Sequence, residues 1–111
     1  MAADNEEINI ALVTHASVAD CVGVQELIRL GADVKYKHGL GLLLAAAKGH
    51  SYIIKIFVSA GVDDPHTLNL ASRIALVNKH FEDAVCLLAW ADMYASGRIT
   101  TNHNAITADN T

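Results

Sequence analysis

The chain has 111 residues, a net charge of −4 and 52% apolar residues, which suits one domain and excludes a disordered composition. Its 8 Lys and Arg are scattered, so the basic stripe of a nucleic-acid binder is missing. No apolar stretch approaches the ~20 residues of a membrane span, and no basic start with an apolar run marks a signal peptide. The cytosol is therefore the expected location. With aromatic residues at only 5%, the core has to be built from Leu, Ile, Val and Ala. That composition suits close-packed helices.

Asp4, with Glu7 three residues on, reads as a capping box that opens a first helix, in which Ile8, Ala11, Leu12 and His15 follow at helical spacing. Ser17 reads as the N-cap of a second helix, with Asp20 in its first turn. Val18, Cys21, Val24, Leu27 and Ile28 form its stripe, and Gly31 stops it. A connector follows whose tip is Lys35-Tyr36-Lys37-His38-Gly39. Helix three is expected from Leu40 or Gly41 to Lys48, with a turn at Gly49-His50. Ser51 is expected to cap helix four, which carries Ile53, Ile54, Phe57 and Val58 and ends at Gly61. Asp64 as N-cap and Pro65 at the first helical position open helix five, with Leu68, Ala71, Ile74, Ala75 and Val77 on its apolar face. Helix six runs from His80 or Phe81 to Tyr94, with Ala84, Val85, Leu87, Leu88 and Trp90 as its apolar residues, and ends at Ser96-Gly97. From Arg98 to Thr111 the chain is polar and aperiodic and is expected to be mobile.

Gly31-Ala32-Asp33-Val34 and Gly61-Val62-Asp63 stand 30 residues apart, each closing an apolar helical run. Such a period signals stacked units, none of which can bury its apolar face alone. The middle unit carries Leu42, Ala45-Ala46, Gly49-His50, Ile53-Ile54-Lys55-Ile56-Phe57-Val58 and Ala60-Gly61-Val62-Asp63. In these residues the chain resembles the ankyrin repeat, over roughly Ile8 to Asp92. The Thr-Pro-Leu-His opening of that family is missing, Leu40-Gly41-Leu42-Leu43 standing in its place. The period also falls short of the family's ~33 residues, so its connectors are trimmed. The resemblance implies an all-α fold: a short ankyrin-like solenoid of three stacked helix-turn-helix hairpins over residues 1–97, followed by the tail 98–111.

In ankyrin-like domains the connector tips and first helices line a concave face that binds proteins. Carried onto this chain, the contact residues are Lys35, Tyr36, Lys37 and His38, joined by Asp63, Asp64 and His66 of the next connector. Tyr36 between two lysines suits an anchor, offering large area with few rotors. Trp90 and Tyr94, at i and i+4, either cover the end of the stack or present an apolar patch for self-association.

The six histidines, His15, His38, His50, His66, His80 and His103, lack metal-ligand spacing; in the family the turn histidine bonds between units, which accounts for His50. Cys21 and Cys86 read as buried free thiols, and Ser17, Ser51 and Ser72 as cap or surface residues. Gly39-x-Gly41 lacks the strand and following Gly-Lys of a phosphate loop. No cofactor, metal or reaction is expected. The expected function is a non-enzymatic protein-protein interaction module that inhibits or sequesters a host or cellular protein complex, as a small viral or bacterial effector would; neither nucleic acid nor membrane is an expected direct partner. The alternatives are a self-associating homodimer and an acidic decoy of nucleic acid.

Overall fold

A computed structural model describes residues 2–98. Six helices follow in order: α1 (Ala2–Ser17), α2 (Cys21–Arg29), α3 (Tyr36–Lys48), α4 (Ser51–Ala60), α5 (Pro65–Val77) and α6 (Phe81–Ala95). No strand occurs among the described residues, and the radius of gyration is 13.8 Å. The tail expected to be mobile lies, beyond Arg98, outside the described residues.

The 30-residue spacing recurs in the backbone. Each odd helix passes to the next through one residue at positive φ: Ala19 (60°), Gly49 (73°) and Lys79 (67°). The following residue is an N-cap with nearly the same angles each time: Asp20 (−84°, 85°), His50 (−83°, 80°) and His80 (−94°, 73°). Their N–H groups reach back five residues, to the carbonyls of His15 (3.0 Å), Ala45 (3.0 Å) and Ala75 (2.8 Å), satisfying carbonyls the helix end would leave open. Gly31 and Gly61 close α2 and α4 at φ 106° and 130°. In the third unit Ala91 stands at the corresponding position and is buried, so α6 runs on to Ala95.

The caps differ in part from the expectation. α1 already includes Asp4, so Asp4 lies inside the helix and not at its cap. Ser17 ends α1, its Oγ donating to the Thr14 carbonyl at 2.8 Å. The cap of α2 is Asp20, whose Oδ1 accepts the Gly23 N–H at 3.0 Å and whose Oδ2 meets His15 Nδ1 at 2.8 Å. Ser51 sits within α4 behind the His50 cap and donates to Asp83 Oδ1 at 2.6 Å. Asp64 caps α5 as expected, with Pro65 directly after it.

α1 packs on α2 and α3; α3 packs on α1, α4 and α5; α5 packs on α6; α2 touches α4 more lightly. The core combines large side chains (Leu12, Leu42, Ile53, Phe57, Leu68, Leu87) with alanines (Ala16, Ala45, Ala46, Ala71, Ala75). The small residues let the helices approach closely: a Cβ built on Gly41 would lie 2.6 Å from the Phe57 ring. Among the described residues, Ser72 is the buried polar side chain, and its hydroxyl donates to the Ala84 carbonyl at 3.0 Å, tying α5 to α6. Val77, Val85 and Leu88, assigned to apolar faces by periodicity, are exposed instead; among the described residues no further helix covers the outer side of α5 and α6. Cys21 is half-buried and Cys86 exposed, both as free thiols, which corrects the expectation that both are buried.

Candidate protein-binding edge

Between α2 and the right-handed part of α3, the chain makes a left-handed turn. Lys37 (54°, 45°), His38 (59°, 35°) and Gly39 (85°, 30°) all lie in the left-handed region. Left-handed backbone costs a residue with a Cβ about 1–2 kcal/mol, so the two non-glycine residues must be held by their surroundings. The holding groups are visible. The Asp33 N–H donates to Asn9 Oδ1 at 2.7 Å, and Asp33 Oδ1 accepts the Lys35 N–H at 2.9 Å. The Gly39 N–H donates to the Lys35 carbonyl at 3.2 Å. The Tyr36 hydroxyl donates to Glu6 on α1, and Lys35 Nζ pairs with Asp63 Oδ1 at 3.1 Å. The turn is thus tied to α1 on one side and to the α4–α5 connector on the other.

Tyr36 is accordingly half-buried, and the Glu6 carboxylate that accepts from its phenol holds the phenol's pKa above the ordinary value. It anchors the turn and is less exposed than expected. Lys37 and His38 remain exposed, with Lys37 Nζ 5.7 Å from the Tyr36 ring centroid. Behind them is a hollow of about 150 Å³ lined by Lys35, His38, Gly39, Val62, Asp64 and Thr67. Asp64 accepts from the Thr67 hydroxyl at 2.9 Å and from the His66 N–H at 3.2 Å. These bonds, the Thr67 hydroxyl first, hold its carboxyl below the ordinary range.

The geometry therefore joins Lys35, Tyr36, Lys37 and His38 with Asp63 and Asp64 on one edge. His66 is exposed and lines a different depression, between α5 and α6, with Leu70, Arg73, Leu76 and Leu88. No family model matches the chain, and neither curated proteins nor solved structures supply a match.

Trp90 and Tyr94 are half-buried and pack against the core. Burial raises the Tyr94 phenol, and the Asp63 carboxylate raises it further, so Tyr94 lies towards the second connector. Of the other histidines, His50 Nε2 lies 3.3 Å from the Ser17 carbonyl, which also accepts from Lys48 Nζ at 3.0 Å; the His80 ring covers Gly49. Among the described residues, no group of three or more His, Cys, Asp or Glu is placed to hold a metal ion, and no helix is long and apolar enough to cross a membrane. One feature escaped the sequence: a groove of about 470 Å³ between α2 and α4, floored by Cys21, Ile28 and Ile56 with Tyr52 and Lys55 at its rim. Tyr52 and Ile56 at i, i+4 were its signal.

Proposed function

We propose that this chain is a non-enzymatic protein-binding scaffold, an ankyrin-like stack of three helical hairpins, whose contact surface is the edge around Lys37 and His38. The observation that carries the reading is the left-handed turn itself. It presents two exposed side chains, Lys37 and His38, from a backbone turn braced by Tyr36–Glu6 and Lys35–Asp63. A pre-set loop on a rigid scaffold loses little conformational entropy on binding, which is how a small surface gains affinity. The recurrence of turn angles at Ala19, Gly49 and Lys79 supports the stacked-hairpin part of the proposal. The partner is a protein whose docking site carries acidic groups for Lys37 and His38. A module of this size that occupies such a site acts by blocking it, as an inhibitor or sequestering factor.

The test is retention of partner on the immobilised full chain, compared with Lys37→Ala/His38→Ala. Both side chains are exposed, so folding, checked by far-ultraviolet circular dichroism, is retained. A protein held by the parent chain and lost by the variant supports the edge. Equal retention by the two overturns it.

A further inference from the structure

The large apolar side chains that stay exposed are gathered at the two ends of the molecule. Ile10, Val18, Val22 and Leu30 belong to the first hairpin, and Leu70, Leu76, Val77, Phe81, Val85 and Leu88 to the last. In the middle hairpin, among the described residues, Tyr52 alone is in this class.

The 30-residue register explains which residues these are. In the groove between α2 and α4, Cys21, Gln25 and Ile28 form the wall on α2, while Tyr52, Lys55, Ile56, Ser59 and Ala60 face them from α4. Shifted forward by 30, the α2 wall becomes Ser51, Lys55 and Val58 on α4, where Ser51 reaches forward to Asp83 of the last hairpin and Lys55 also borders the groove towards α2. Shifted again, it becomes Phe81, Val85 and Leu88 on α6, exposed by 58%, 68% and 56%. Shifted back by 30, the facing wall becomes Val22, Gln25, Glu26, Arg29 and Leu30 on α2, where the apolar Val22 and Leu30 are 78% and 57% exposed. A hairpin that ends a stack ordinarily turns polar on its free side. This chain does the opposite: where the middle hairpin has Ser51 and Lys55, the last has Phe81 and Val85.

We propose that copies of this chain stack end to end, the outer wall of α5 and α6 in one copy covered by the outer wall of α2 in the next, in the register that relates α2 to α4. The proposal rests on the stacked-hairpin reading above but not on the binding edge. The occupant is a second copy because a single chain carries both halves of the contact. The charges agree as well. Lys79 stands in register with Gly49, the residue covered by His80; Asp20 stands in register with His80, so stacking brings Asp20 of one copy over Lys79 of another. The exposed apolar side chains of the α5–α6 wall supply on the order of 400 Å² of apolar surface, which fits the apolar share of a small interface of about 1,200 Å² in total. A contact of that size is concentration-dependent. Because its two halves lie on opposite ends, it leaves a free face after every addition and does not close as a dimer.

The experiment is sedimentation velocity of the full chain across a concentration series, with two variants. Leu76→Glu/Leu88→Glu spoils the closing wall, and Val22→Glu/Leu30→Glu spoils the opening wall. All four residues are more than half exposed, and circular dichroism confirms that each variant is folded. The parent is expected to grow past dimer as concentration rises. Each variant alone is expected to be monomeric, while an equimolar mixture of the two forms dimers and stops there, since one intact wall of each kind remains. A parent that stays monomeric at the highest concentration overturns the proposal. So does either variant associating alone, which would mean a two-fold pairing, or a mixture that fails to dimerise. The Lys37→Ala/His38→Ala chain is expected to assemble like the parent, so failure of the binding edge and failure of stacking are read separately.

Discussion

Asp64 illustrates how a single carboxylate sets a helix start. It accepts from the Thr67 hydroxyl and the His66 N–H, and both bonds favour its charged form, as does the position at a helix N-terminus. Its folded pKa is therefore below the ordinary value. The Asp20 carboxyl is lowered in the same direction, first by the Gly23 N–H and then by His15. For a carboxyl with a lowered folded pKa, the stabilisation is complete above the unfolded value of about 4 and is lost as pH falls through the folded value. Asp64→Ala is expected to cost about 1 kcal/mol near neutral pH and progressively less below pH ~4, where the parent loses the same bonds. Thermal melts of both chains from pH 7 down to pH 2 check this: the two melting temperatures should converge in acid, and a constant gap would refute the cap. The Asp64 cap was legible because Asp-Pro leaves few alternatives. The Asp20 cap was misassigned to Ser17, since both lie within reach of the same turn and only the length of α1 decides between them.

Among the elements, the left-handed turn was the least legible. Gly39 signals freedom at one position, but nothing in Lys37 favours positive φ, and His38 is only one of the types found there more often than most. Their conformation is imposed from outside by Asn9, Glu6 and Asp63, which lie far away in sequence. That origin gives a sharp expectation. Replacing His38 by Gly removes about 1 kcal/mol of local strain, offset in part by the greater freedom of Gly in the unfolded chain. Urea unfolding of His38→Gly should show stability equal to the parent or up to about 1 kcal/mol higher. A loss of 1 kcal/mol or more would mean that His38 is not in the left-handed region. The helices themselves were easier to read, since periods near 3.6 and turn residues such as Gly49 and Pro65 place α4, α5 and α6 within a residue or two, whereas the starts of α1, α2 and α3 lie three or more residues from their expected positions. The exposed wall of α6 was not, because periodicity marks Val85 and Leu88 as apolar without saying whether any neighbour exists to cover them.

For the whole molecule, the spacing of Gly31 and Gly61 was the visible part of a longer recurrence that also includes Ala19, Gly49 and Lys79. The third unit hid it, because Ala91 does not end a helix as Gly31 and Gly61 do. Positions 30 apart have like backbone settings, so Leu30 can be joined to Gly61 without creating a new kind of junction. Removal of residues 31–60 is expected to leave a helical chain that unfolds cooperatively at a lower urea midpoint, because a shorter chain buries less apolar surface. Removal of residues 31–57, which breaks the register, is expected to leave little helix by circular dichroism. If the two deletions behave alike, the recurrence has no bearing on folding. The consequence reaches past the single molecule. A gene whose product repeats its joints at a constant interval can gain or lose one segment by unequal recombination and still encode a chain with every joint intact. The length of such a chain can then change by whole segments while the backbone setting of each joint is kept.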